Sequence, residues 1–314
     1  MYRLFLAKMI TALAIVVTAV LVALAAESGL LGLGLVALGL GMRHGLDADH
    51  IVAIDNVTRK LLAEKKYSLT TGLYFALGHS TIVFILTVAV VFGAYQIKAS
   101  GGALQEYGCI IGTLVSALFL GVTALLNVVS LRAALKDPGY AAAPVGLIAQ
   151  FTKRLFNVSS SRGMYAIGFL FGLGFDTATE IALLSIAATA ALHGGAVWLI
   201  LALPVLFASG MVLIDTLDCV FMSSVFSWAA ERQARLRKYN IAVTGFAAAS
   251  ALMLGAFGIT GLLGTAYSWS GGLLRVSDWV NGNSEWLGLS IVCVFIGIWL
   301  YGHLRQRRSC PVSE

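Results

Sequence analysis

The stretch Arg43-His44-Gly45-Leu46-Asp47-Ala48-Asp49-His50 sets two imidazoles, two carboxylates and a guanidinium inside an apolar run that begins near Leu30 and ends near Asp55. Ionisable groups are costly there. Even lenient insertion scales put one charged residue at the centre of a membrane helix at about 2.5 to 3.5 kcal/mol. Imidazole with carboxylate is the ligand set of a divalent transition metal, and Arg43 can balance one carboxylate when no metal is present. The stretch reads as a metal site with His44, Asp47, Asp49 and His50 as its donors.

The elements that hold these residues follow from composition. With 59% hydrophobic and 11% charged residues, the chain lies far from a soluble domain, where about a quarter are charged. It reads as all-α, a polytopic membrane protein forming one transport domain over 1–314, with no soluble module. Cys109, Cys219, Cys293 and Cys310 stand singly, which argues against a disulfide framework or a zinc-thiolate site. The net charge of +6 and pI of 9.2 reside in the connections between apolar runs and reflect topology, not nucleic-acid binding.

Eight transmembrane helices are expected, at about 9–26, 30–54, 69–97, 107–131, 164–192, 196–229, 241–267 and 286–301. The first has a rival reading as a signal peptide, with Ala23-Leu24-Ala25 as the cleavage site. Residues 132–163 form a basic loop. When sides alternate, all of the 21 Lys and Arg fall on one side except Lys98, Arg275 and the intramembrane Arg43. The positive-inside rule then makes that side, both termini and the 132–163 loop cytoplasmic, in a multi-pass protein of the inner membrane. Trp269, Trp279 and Trp286 flank the last external loop, as interfacial aromatics do.

Intramembrane polar residues gather on four spans. Span two carries the stretch above, span three His79, span five Asp176, Thr177, Thr179 and Glu180, and span six Asp215 and Asp218. These four helices are expected to enclose a path that the others shield from lipid. Asp176 and Glu180 are spaced i and i+4, Asp215 and Asp218 i and i+3, so each pair shares a helix face. Span two is less regular. On a straight helix Asp49 points about 140° away from His44, and His44 and His50 are about 9 Å apart in rise. Two ligands of one ion cannot be so far apart, since each bond is near 2 Å. Either the helix unwinds locally, which Gly39, Gly41 and Gly45 make cheap, or the ion meets these residues in sequence.

Structural readings compete. His79 can serve as a helix–helix hydrogen-bond donor, and the acidic pairs can balance Arg43. His50 and Asp55, near the cytoplasmic end of span two, are expected to be partly solvated, and His193 and His303 interfacial. The four donors of span two fit no such role.

Arg43 to Ile51, RHGLDADHI, contains the His-x4-Asp-His signature of the nickel/cobalt transporter family of bacterial and fungal permeases. LGHST at 77–81, LGFDTATE at 173–180 and GMVLIDTLD at 210–218 are similar to its three further signatures, in family order. With the eight spans, the resemblance covers nearly the whole chain. Gly45 stands where the family usually has alanine, loosening span two, and Cys219 where glycine is common, setting a soft ligand beside Asp218. The resemblance implies high-affinity uptake of Ni2+ or Co2+ as transported substrate, with no cofactor. It makes His44, Asp49 and His50 central, with His79 as companion.

Gly-Leu-Gly precedes an acidic cluster in both span two (39–41) and span five (172–174), and these spans run in opposite directions. This has the form of an inverted repeat; glycine recurring by chance among 34 is the competing explanation. No Gly-Lys dipeptide occurs, so the chain has no phosphate loop of its own and its sequence calls for no ATPase subunit. The zinc-peptidase motif His-Glu-x-x-His is absent, and five histidines are too few for a membrane di-iron enzyme; an enzyme is not expected. An efflux permease of related sequence is the alternative, disfavoured by the lack of a histidine-rich loop. Protons compete with metal for imidazole lone pairs. Metal accumulation is therefore expected to fall as external pH drops below the imidazole range, about 6.5, and accumulation unchanged down to about pH 5 would count against imidazole ligation.

Overall fold

The computed structural model describes residues 2–25, 30–100, 160–173, 178–193, 195–230, 233–266 and 271–283, with scattered positions between 121 and 135 and between 286 and 300. The described residues are helical and include no strand. In chain order the helices are α1 (Tyr2–Leu24), α2 (Leu30–His44), α3 (Ala48–Ala63), α4 (Thr71–Ser100), α5 (Met164–Phe171, entered by a 3-10 turn at Ser161–Gly163), α6 (Ala178–Leu192), α7 (Val197–Ile200), α8 (Leu203–Ala230), α9 (Gln233–Ala266) and α10 (Gly272–Gly282).

Among the described residues, four segments are long and apolar enough to cross a membrane: Leu4–Leu24, Thr71–Phe92, Val197–Ala230 and Ile241–Gly261. They correspond to expected spans one, three, six and seven. Spans two and five are interrupted: the first becomes α2 and α3, which runs on to Ala63, and the second becomes α5 and α6. Spans four and eight and the 132–163 loop lie largely outside the described residues. α1 exposes much of its apolar surface, with Leu4, Ile15 and Val22 each more than 60% accessible, which suits contact with acyl chains and not with water. The connection between expected spans seven and eight contains α10. Leu273, Val276 and Val280 repeat there at helical spacing, and the Ser277 hydroxyl donates to the Phe257 carbonyl at 2.7 Å.

α8 is the hub, packed against α1, α2, α3, α4, α6 and α9. Glycines set how closely its neighbours approach. A Cβ on Gly41 of α2 would overlap the Phe207 carbonyl of α8, and one on Gly210 of α8 would reach the Met42 nitrogen of α2 at 2.7 Å. Farther along both chains, Gly45 meets Ile214, so α2 and α8 run parallel. The same device joins α4 to α5. Gly168 abuts the Phe75 carbonyl, Gly78 the Phe169 nitrogen and Gly172 the His79 carbonyl, again in parallel. α4 and α8 are antiparallel: Ser68, just ahead of α4, contacts Cys219 and Ser223, whereas Gly72 meets the backbone of Asp215.

Two expectations are corrected. His50 and Asp55 are not partly solvated; they are 1% and 0% accessible. Arg59 and Lys60, assigned to a cytoplasmic loop, are buried on α3. The Arg59 guanidinium is held by Asp55 at 2.9 Å and donates to the Thr244 hydroxyl of α9 at 3.0 Å. Burial of this cation is tolerable because carboxylate and hydroxyl satisfy it.

Overpacking a close crossing costs about 1–3 kcal/mol. Gly41→Ala is therefore expected to lower the thermal stability of the detergent-purified chain. Gly39→Ala, where a Cβ meets nothing within 4 Å, is expected to leave it unchanged or raise it by up to about 1 kcal/mol.

Candidate metal centre

The site forms where α2 stops. The Gly45 amide makes the last bond of the α-helical ladder, to the Gly41 carbonyl, and the Leu46 and Asp47 amides bond to the carbonyls three residues back. Asp47 is extended (φ −61°, ψ 139°) and starts α3 as its N-cap residue, a position that favours aspartate. Its carboxylate does not cap the helix. It lies 2.8 Å from His44 Nδ1, without the alignment of a hydrogen bond. Asp49, in the first turn of α3, takes over there by accepting the His50 amide proton at 2.9 Å, a favourable place for an acidic side chain.

This interruption removes the 9 Å problem. The His44 and His50 rings come to 4.6 Å, centroid to centroid, and His79 of α4 lies 4.8 and 4.9 Å from them. One nitrogen from each of the three rings lies within 4.8 Å of the others, and all three side chains are buried. His44 Nε2 and His79 Nε2 are 2.9 Å apart. Two nitrogens each about 2.1 Å from one cation and at right angles would be about 3.0 Å apart, so the pair suits a shared ion.

Carboxylates surround the rings. Glu180 Oε1 of α6 is 2.8 Å from His79 Nε2 and 3.9 Å from His44 Nε2, while Asp215 Oδ1 of α8 is 3.5 Å from His50 Nδ1. The Thr179 hydroxyl is 3.1 Å from His44 Nδ1. His79 Nδ1 and both Asp215 oxygens are buried with no hydrogen-bond partner. Such orphaned groups are costly in a closed interior, and a cation is the species that satisfies nitrogen and oxygen lone pairs together.

Of the expected residues, His44, Asp47, His50, His79, Glu180 and Asp215 meet, with half-exposed Asp49 at the edge. Arg43 is exposed on α2. Asp218 is buried one turn beyond Asp215, and neither of its carboxylate oxygens has a hydrogen-bond partner. Asp176 and Thr177 lie outside the described residues. His193 is exposed on its own helix end, against the Thr189 carbonyl. The sequence reading missed two aromatic walls: Phe75 stands edge-on to His50 at 4.8 Å, and Phe207 lies 5.4 Å from His44.

The sequence profile described as high-affinity nickel-transport protein, NicO, matches residues 30–305. The chain is 41% identical over 303 residues to the nickel transporter NicT of Mycobacterium tuberculosis, covering 88% of this chain and 81% of that one. It is 39% identical to the high-affinity nickel transport protein of Cupriavidus necator, covering 86% and 82%. Against the cobalt transport protein NhlF of Rhodococcus rhodochrous the identity is 36%, covering 91% and 86%. No solved structure matches. Carboxylates that orient ligand histidines typically contribute 10- to 100-fold to metal affinity. Asp47→Asn is expected to weaken Ni2+ binding to the purified chain by about that factor, read by calorimetric titration.

Proposed function

The chain belongs to the family of high-affinity nickel-transport proteins, a family of transporters, and on that premise we propose that it takes up Ni2+ and/or Co2+ across the cytoplasmic membrane. The observation that carries this reading is the convergence of His44, His50 and His79 beside Asp47, Glu180 and Asp215. In it the three imidazoles bind the ion, Asp47 and Asp49 orient His44 and His50, and Glu180 and Asp215 balance the arriving charge. Asp176, Thr177 and Asp218 line the path, and Arg43 stands at its margin. Nitrogen ligands favour Ni2+ and Co2+ over Mg2+ and Ca2+. An inside-negative potential supplies about 4.6 kcal/mol per 100 mV for a divalent cation, twice the roughly 2.3 for unit charge.

The architecture that goes with this function is a single domain of eight spans with both termini cytoplasmic, as the distribution of Lys and Arg favours. Its core is an inverted repeat of spans two and three with five and six. One constant shift along the chain carries Leu38, Gly41, Met42, His44 and Gly45 onto Tyr165, Gly168, Phe169, Phe171 and Gly172. Another carries Phe75, Gly78 and Ile82 onto Phe207, Gly210 and Ile214. The glycine contacts between α2 and α8 map under these shifts onto those between α5 and α4. The His44–Phe207 and Phe171–Phe75 ring pairs correspond as well, each at 5.4 Å. This register matches Gly172 with Gly45, not with Gly39 of the Gly-Leu-Gly string.

Efflux of the same ions is the other reading of the sequence, and the names of the relatives above lend it no support. Accumulation of radiolabelled Ni2+ and Co2+ tests the proposal. Cells expressing the chain are expected to exceed empty cells, His44→Ala is expected to return them to background, and collapsing the membrane potential is expected to lower uptake. Accumulation below that of empty cells would mean efflux, and equal accumulation with and without His44 would remove the site.

A further inference from the structure

Phe75 and Phe207 are fully buried, and each begins a Phe-Ala-x-Gly segment: Phe75-Ala76-Leu77-Gly78 on α4 and Phe207-Ala208-Ser209-Gly210 on α8. A glycine of the neighbouring helix fixes each backbone in the same way, Gly168 against the Phe75 carbonyl and Gly41 against the Phe207 carbonyl. Each ring rests on a different histidine of the site. Since α4 and α8 are antiparallel, the two rings approach the histidines from opposite ends. Phe207 is level with Gly41, and Asp215, two turns on, is level with Gly72; Phe75 lies one turn back from there along α4. At 1.5 Å per residue, Phe75 is about 7 Å farther along the α2 direction than Phe207, with His44 and His79 between them.

We propose that Phe75 and Phe207 are repeat-related gating residues that seal the histidine site from its two ends, Phe207 toward the outside and Phe75 toward the cytoplasm. An apolar ring packed on an imidazole excludes water from the path and has no donor for the ion. Passage in either direction therefore requires one ring to leave its histidine while the other stays. Under the repeat, each ring is the counterpart of the other, so alternation needs no further part. The proposal rests on the transport function and the repeat above, and it adds the two residues that close the path.

The test uses the full-length chain with a thiol reporter, Met211→Cys, at the buried α8 position that the repeat equates with His79. A membrane-impermeant maleimide is applied to intact cells and to inverted membrane vesicles, and labelling is counted over that of the chain without the reporter. Phe207→Ala is expected to raise labelling several-fold in intact cells and leave the vesicles unchanged; Phe75→Ala is expected to do the reverse. Phe207→Leu and Phe75→Leu, which keep the helix contacts filled, are expected to shift labelling in the same directions by less. Gains from the same face for both positions, or none for either with the Leu and Ala variants present in the membrane, would overturn the assignment. Labelling does not depend on metal movement, so failure of the gates and failure of nickel transport are read separately.

Discussion

The break between α2 and α3, where the Leu46 and Asp47 amides turn to carbonyls three residues back, determines where the histidines of the site can go. A continuous helix would hold His44 and His50 about 9 Å apart in rise. The interruption folds them to 4.6 Å and presents both to His79. It also frees backbone groups in a low-dielectric interior, where they must be satisfied nearby. They are: the Leu46 and Asp47 amides take short-range carbonyl acceptors, and the first turn of α3 is served by Asp49. The same stretch thus shapes the break, places Asp49 in the first turn of the helix that follows and brings the Asp47 carboxylate to 2.8 Å from His44 Nδ1.

The rest of the bundle supports this local geometry through close helix crossings. Small residues allow α2 to lie on α8 and α4 on α5 at backbone contact, the mode of packing available when lipid removes the hydrophobic drive between helices. Away from the rings the interior is polar but mostly paired. Asp55 and Arg59 neutralise each other, and Asn56 accepts from Asn127 at 2.9 Å. Cys219 donates to the Ser68 carbonyl at 3.1 Å. Among the described residues, buried atoms without a hydrogen-bond partner include His50 Nδ1, His79 Nδ1 and the carboxylate oxygens of Asp215 and Asp218, beside single atoms of Ser80, Asn127 and Thr216.

How far the sequence could be read depended on which physical rule applied. Ionisable residues in an apolar run are conspicuous anywhere, so the donor stretch, His79, Glu180 and Asp215 were legible. The long apolar runs of α1, α4, α8 and α9 were legible for the same reason. Spacing failed at the break, because helical angles have no meaning across it, and it gave no hint that Asp49 serves the backbone. Hydropathy failed at Arg59 and Lys60, since it scores charge and not partners. The i, i+4 pair of Asp55 and Arg59 is visible in the chain, yet nothing local says that it is buried. The Gly-Leu-Gly strings do not align under the repeat register proposed above. That proposed register rests on single glycines opposite carbonyls and on Phe-Ala-x-Gly, too sparse to stand out among 34 glycines.

The two glycine-clasped pairs carry two of the three histidines, and the third, His50, stands on α3. His44 belongs to the pair formed by α2 and α8, His79 to the pair formed by α4 and α5, and only 2.9 Å separates their Nε2 atoms. Tilting one pair against the other lengthens that separation first. If the imidazoles hold the cargo as proposed, loosening the seam between the pairs and letting it go are one event.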